Sequence, residues 1–251
     1  MPMSQSFQDR LFPIAADLAE HYGTPFHIYD EAGILETGEK LKKAFSGIDG
    51  FREYYAVKAL PNPRILELMK ALDFGFDCSS IPELIMSRGV GGTGEDIMFT
   101  SNNTTQEEFL EAAAEGGSIL NLDDISLIAK VPEFPELVCF RYNPGPRRTG
   151  NIIIGNPVEA KYGITHEQVI SAYKMAMERG AKRFGLHTMV ASNERDYSYI
   201  VETARMLLQI SAMVEEELGI RFEFLNLGGG LGIPYKPEDS PLDLETMANE
   251  I

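Results

Sequence analysis

Tyr54-Tyr55-Ala56-Val57-Lys58 is a short apolar run that reads as a buried strand with a lysine at its end. Taking an ammonium out of water is costly, so a lysine so placed pairs with a carboxylate, gives up its proton or joins a ligand covalently. The third outcome makes it a Schiff-base nucleophile. The ordinary alternative is a side chain that simply runs out to solvent. The rest of the chain bears on that choice.

From Phe51 onward, β-rich runs alternate with longer amphipathic ones, the pattern of parallel strands joined by crossover helices. Seven strand-like runs can be marked: Glu53–Val57, Phe74–Cys78, Ile97–Thr100, Ile119–Leu122, Leu137–Tyr142, Phe184–Met189 and Phe222–Leu227. Helical spacing of apolar residues marks Pro63–Leu72, Pro82–Arg88, Gln106–Ala114, Glu167–Arg179 and Tyr197–Leu218. The stretch from Asn143 to Gly163 is the longest without clear periodicity. Lys58, Asp77, Ser101, Asp123, Arg141, His187 and Gly228 to Gly230 fall at or just past strand C-termini. In a barrel such positions share one mouth, whereas in an open sheet they spread along a crevice. The expected fold is therefore α/β, a (β/α)8-type barrel with seven of its eight strands. Residues 1–29 form a lead-in with one further strand, Phe26–Tyr29, and residues 30–236 form the partial barrel. Residues 237–251 are an acidic tail or the start of a further portion.

Composition narrows the functional classes. The formal charge of −16 argues against nucleic acid or an anionic membrane surface as the main partner. The two cysteines, Cys78 and Cys139, each sit in an apolar run, so a disulfide framework is not expected and a reducing, cytoplasmic setting fits better. Residues 1–9 lack a basic stretch leading into an apolar segment, and no apolar run approaches membrane-spanning length.

Gly228-Gly229-Gly230-Leu231-Gly232 follows a strand, giving a turn whose backbone can approach a phosphate and offer it several N–H donors. It is not a dinucleotide fingerprint, because Ile233 holds the sixth position, and no Walker lysine is present. Late barrel strands commonly carry phosphate sites. His187 and Met189 alternate onto one strand face, and no pair of histidines has metal-ligand spacing. Ser192, in the loop after this strand, is a phosphate-donor candidate. Ser80 and Glu83 have the spacing of a helix capping box. Asp77 is placed to neutralise a cation at the mouth, Lys58 being the obvious one, and Arg141 to pair with an acid or position a ligand.

Together these motifs resemble the pyridoxal-phosphate decarboxylases built on alanine-racemase-like barrels, most closely the diaminopimelate decarboxylases. The resemblance runs from about Tyr22 to Tyr235 and rests on Tyr54 to Ala59, Phe76 to Leu84, Gly185 to Ser192 and Leu227 to Tyr235. It implies pyridoxal 5'-phosphate as cofactor and Lys58 as its Schiff-base lysine. Ser192 and Gly228, Gly229 and Gly230 would hold the phosphate, with His187, Asp77 and Arg141 around the cofactor. The implied reaction is loss of carbon dioxide from an amino acid, with meso-diaminopimelate giving L-lysine as the leading assignment. Arginine, ornithine or carboxynorspermidine decarboxylation, and a non-catalytic cofactor-binding or regulatory role, are the alternatives.

Two departures from the family pattern stand out. Where the family carries a second histidine against the cofactor ring, this chain has Met189. The family also continues into an eighth strand, a Glu-Pro-Gly-Arg turn and a β-domain, none of which follows Ile251. The resemblance therefore implies an N-terminal portion with little decarboxylase activity alone, and a homodimer for the longer form.

Overall fold

The structure, a computed structural model, describes residues 3–151 and 153–251. Helices α1 (Gln5–Leu11), α2 (Ala15–Tyr22) and α3 (Glu31–Ala44) precede the sheet. Strands and crossovers then alternate: β1 (Tyr54–Ala56), α4 (Pro63–Ala71), β2 (Gly75–Cys78), α5 (Ile81–Gly89), β3 (Gly94–Phe99), α6 (Gln106–Ala113), β4 (Ser118–Leu122), β5 (Leu137–Arg141), α7 (Val169–Glu178), β6 (Arg183–His187), α8 (Tyr197–Leu218), β7 (Phe222–Asn226) and α9 (Leu244–Glu250). A short 3-10 stretch, Ile125–Lys130, makes the crossover between β4 and β5. Local chemistry sets several helix ends. Thr105 and Glu108 form a complete capping box on α6, and Asn62 caps α4 ahead of Pro63. Gly219 ends α8 in the left-handed conformation at φ 68°.

All seven strands lie in one sheet, every neighbour parallel and in chain order. Side-chain alternation then divides each strand between two faces. Val57, Phe76, Cys78, Ile97, Phe99, Leu120, Leu122, Val138, Phe140, Phe184 and Leu186 face the helices in the main core. Met98, Ile119, Leu137 and Cys139 form a separate inner cluster with Tyr54 and Phe224. Because Tyr54 is on β1 and Phe224 on β7, the inner faces of the two edge strands share one cluster, and the sheet curls as a barrel does. Across its N-terminal end, Arg183 of β6 bonds Glu95 of β3 at 2.5 Å and Glu223 of β7 at 2.8 Å.

The expected strands and helices are found within a few residues of their predicted ends. Two expectations are corrected. Phe26–Tyr29 forms no strand: it is irregular backbone without a ladder partner, and α1 and α2 occupy most of the lead-in. The segment 237–251 is not a loose acidic tail. Its residues 244–250 form α9, whose Met247 and Ala248 are buried in a small cluster with Phe45, Ile200 and Val201. Leu242, Leu244 and Ile251 pack against the same cluster, so apolar contacts dock the helix despite its acidic surroundings. Both cysteines are free and buried, as core residues. Among the described residues no helix is long and apolar enough to cross a membrane.

Gly185 lies mid-strand on the inner face, and a Cβ there would sit 2.1 Å from Cζ of Phe224. Gly185→Ala is expected to destabilise the fold by about 1–3 kcal/mol through overpacking. Urea unfolding of the variant beside the parent measures it, and an unchanged midpoint would show that the inner cluster yields freely.

Candidate active site

The inward-facing residues at the C-terminal strand ends form one polar layer above the apolar inner cluster. Four of them are joined by hydrogen bonds across the sheet. Thr100 Oγ1 donates to Asp77 Oδ1 at 2.7 Å. Asn121 Nδ2 donates to Thr100 Oγ1 at 3.1 Å and lies 2.8 Å from His187 Nδ1. The chain runs from β2 through the end of β3 and β4 to β6, and Asn121 and His187 are buried.

Lys58 departs from the sequence reading. It is exposed: β1 ends at Ala56 and runs into a 3-10 stretch, Val57–Ala59, which buries Val57 and leaves the lysine exposed at the strand end. Its ammonium makes no hydrogen bond or ion pair among the described residues. Its charge nonetheless reaches both ends of the polar chain. Burial pushes the Asp77 carboxyl up to about 6, against the Thr100 hydrogen bond and the Lys58 charge, which hold it down. Burial, with the Arg141 and Lys58 cations, pushes His187 down to about 3, so its imidazole is neutral. Asp77 forms no direct ion pair with Lys58, and the expected neutralisation acts at longer range.

Arg141 pairs with an acid. Its Nη1 donates to Asp123 at 3.1 Å, and its guanidinium lies 4.9 Å from the ring centre of Tyr162. Burial raises the Asp123 carboxyl, with the Arg141 charge opposing. Ser101 stands apart from the polar layer; only its carbonyl is engaged, by Thr104. The Ser80–Glu83 capping box is not formed: Glu83 accepts from the Ser79 N–H at 2.8 Å rather than from the Ser80 N–H, and the Ser80 hydroxyl donates to Glu83 rather than capping the helix backbone.

The glycine turn is shaped by close backbone approach. Gly228 and Gly230 adopt φ of 81° and 85°. A Cβ on Gly228 would meet the Thr188 carbonyl at 2.2 Å, and one on Gly230 the Ala191 carbonyl at 2.3 Å and the Ser192 nitrogen at 2.9 Å. The Ser192 backbone thus abuts the turn. In front of Gly229 the space is open. Met189 lies past the end of β6, and the Gly229 N–H points to its sulfur at 3.2 Å. It therefore packs on the turn while His187 joins the polar layer. Glu194 locks the turn to the neighbouring loop, donating its N–H to the Gly230 carbonyl at 2.8 Å and accepting from Gly232 at 2.7 Å. Thr100 and Asn121 escaped the sequence reading, which took Ser101 and Asp123 as the strand-end polar residues. Counting alternation outward from Met98 and Ile119 would have found them.

Gly230→Ala is expected to cost about 1–2 kcal/mol from its left-handed backbone alone, added to the clash with Ala191, and thermal unfolding measures the loss. Titration offers a second check. A neutral buried histidine loses its contribution to stability as pH falls from 6.5 towards 3. The raised Asp77 does the reverse, adding stability as pH falls from about 6 towards 3.8. In Asp77→Asn only the first effect survives. Its stability should fall more steeply than the parent's between about pH 6 and 4, by up to ~1.4 kcal/mol per pH unit. Parallel curves from urea unfolding at several pH values would show that Asp77 titrates at its ordinary value.

The family model of the pyridoxal-dependent decarboxylases, pyridoxal binding domain, matches residues 32–251. Protein TabA of Pseudomonas amygdali pv. tabaci is 41% identical over 251 residues, which is 100% of this chain and 59% of TabA. Diaminopimelate decarboxylase of Thermoplasma acidophilum is 34% identical over 238 residues, covering 94% of this chain and 58% of that protein. The crystal structure of diaminopimelate decarboxylase from M. jannaschii matches with a TM-score of 0.86 at 29% identity, over 94% of this chain and 58% of the other. The chain thus spans less than two thirds of the length of these relatives. With a family match across most of its length, on a sheet whose mouth carries the lysine and the glycine turn, this chain belongs to the pyridoxal-dependent decarboxylases and carries their pyridoxal-binding domain.

Proposed function

We propose that Lys58 joins pyridoxal 5'-phosphate at the barrel mouth and that the protein removes carboxylate from an amino acid, meso-diaminopimelate giving L-lysine. The observation that carries this reading is an unpaired lysine on the same barrel mouth as a glycine turn whose positions 228 and 230 exclude any Cβ. Such a turn fits a phosphate, because backbone can approach it closely and the Gly230 N–H has no partner among the described residues. Ser192, against Gly230, adds a hydroxyl. When bound, the cofactor supplies an electron sink for the carbanion left by loss of carbon dioxide.

The chain's own residues divide the remaining work. Lys58 needs its amine free as a nucleophile, and the absence of an ion pair leaves it available. Asp77, ionised above about pH 6, balances the cation without clamping it. Arg141 is held by Asp123 and Tyr162, so its charge stays fixed at the rim. His187, neutral at physiological pH, offers a hydrogen bond rather than a proton.

Substrate choice rests on the relatives. The M. jannaschii diaminopimelate decarboxylase, 29% identical, was crystallised in co-complex with L-lysine, which supports a diamino-acid substrate or product. The higher identity to Protein TabA, 41% against 34% for the Thermoplasma enzyme, favours a second reading in which the same reaction acts on a different amino acid. A homodimer and a cytoplasmic setting belong to the same proposal.

Borohydride reduction of the chain with pyridoxal 5'-phosphate, followed by peptide mapping, should place the label on Lys58 and lose it in Lys58→Ala. Label elsewhere, with none on Lys58, overturns the cofactor assignment. Carbon dioxide release by the full gene product should be faster from meso-diaminopimelate than from lysine, ornithine or arginine. A faster competitor would overturn the substrate while leaving the cofactor site intact.

A further inference from the structure

We propose that Asn121 is a positioning residue: it holds His187 as a neutral Nε2–H donor towards the ligand at the mouth, with its own orientation set from the far side by Thr100 and Asp77. The inference rests on the cofactor reading above but concerns residues that reading does not explain.

Proton counting along the chain of hydrogen bonds leaves one polarity. The Thr100 hydroxyl has a single proton, given to the Asp77 carboxylate at 2.7 Å. Its oxygen must therefore accept from Asn121, which turns the amide nitrogen towards Thr100 at 3.1 Å. The second N–H of that nitrogen then points to His187 Nδ1 at 2.8 Å. A nitrogen that accepts carries no proton, so the imidazole proton sits on Nε2. Nε2 has no partner among the described residues, and the ring retains 7% exposure at the strand's mouth end. Flipping the Asn121 amide would set its oxygen against the Thr100 lone pair.

The arrangement is costly, which argues for a role. Asn121 is 1% exposed, and its Oδ1 is buried without a hydrogen-bond partner among the described residues. An unsatisfied buried carbonyl is destabilising, and an apolar residue of the same size would avoid that cost. Both ends of the relay also lie within reach of the Lys58 charge. The Asp77 end offers Lys58 a counter-charge, while the His187 end offers a donor that does not compete with the lysine for a proton. Titratable and charged groups coupled to these ends are Lys58, Arg141, Glu83 and Glu53, whose carboxyl is raised by burial and by the Asp77 charge. The ligand group such a donor suits is a hydrogen-bond acceptor, an oxygen or ring nitrogen, beside the atom that Lys58 engages.

The test combines nitrogen-15 NMR of the histidine side chains with pyridoxal 5'-phosphate titration. In the parent, His187 should show a single neutral Nε2–H tautomer between pH 8 and 7, where Asp77 is ionised and accepts from Thr100. Asn121→Leu should give mixed tautomers and weaken cofactor binding about tenfold. Thr100→Val should shift both readouts in the same direction, and Thr100→Ser should restore them to within twofold. An Nδ1–H tautomer or an imidazolium in the parent at pH 7 overturns the proposal without any variant needing to fold. So does Asn121→Leu binding the cofactor within twofold of the parent. If the parent itself takes no cofactor at Lys58, the functional reading fails, and the tautomer measurements still decide the role of Asn121.

Discussion

Parallel pairing of seven strands in strict chain order is the constraint from which the rest of the molecule follows. Every connection must return to the same end of the sheet, which places every strand C-terminus on one side. Register then matters as much as order. Pairs such as Ala56 with Asp77 and Arg141 with His187 set inward-facing residues at common heights. The result is a stack of layers: charges at the base, an apolar middle and a polar top.

The layers differ in what they contribute. At the base, Arg183, Glu95 and Glu223 are all more than a third exposed, so each pair is worth little by itself, about 0–1 kcal/mol. Their value lies in linking β3, β6 and β7 across the end of the curved sheet. Arg52 and Lys70 share Asp96 nearby, at 2.5 and 2.7 Å, and hold its carboxyl down to about 2 despite partial burial. The middle layer supplies packing, tight enough that Gly75 and Gly185 have no room for a Cβ. The top layer links buried polar groups across four strands and, among the described residues, leaves the Asn121 acceptor unpaired. Its polarity comes at the expense of stability, as sites that handle ligands commonly do.

The two ligand-facing features with the least support from the core, Lys58 and the glycine turn, both follow edge strands. β1 and β7 each have a neighbour on one side only. The half-buried pattern of β1 and the partial exposure of β7 reflect that position. The central strands, covered on both faces, carry the buried relay instead. The long loop after β5 is fastened from outside by Arg148, whose guanidinium lies 4.0 Å from the ring centre of Tyr199 and bonds Glu202 at 2.6 Å.

The sequence by itself determined the elements and the end of the sheet at which chemistry gathers. Alternation and helical spacing are local, so seven strands and their crossovers were legible, and so were Lys58 and the glycine turn at strand ends. Tertiary structure decided everything that depends on partners. Phe26–Tyr29 has strand composition but no neighbour to pair with, and α9 docks because Phe45, Ile200 and Val201 happen to face it. Lys58 is exposed although it closes an apolar run, since β1 stops at Ala56 and the lysine falls in the 3-10 stretch that follows. Alternation alone puts Thr100 and Asn121 on the inner face, but only the tertiary structure shows which strand neighbours they reach: Thr100 bonds Asp77, and Asn121 bonds Thr100 and lies beside His187.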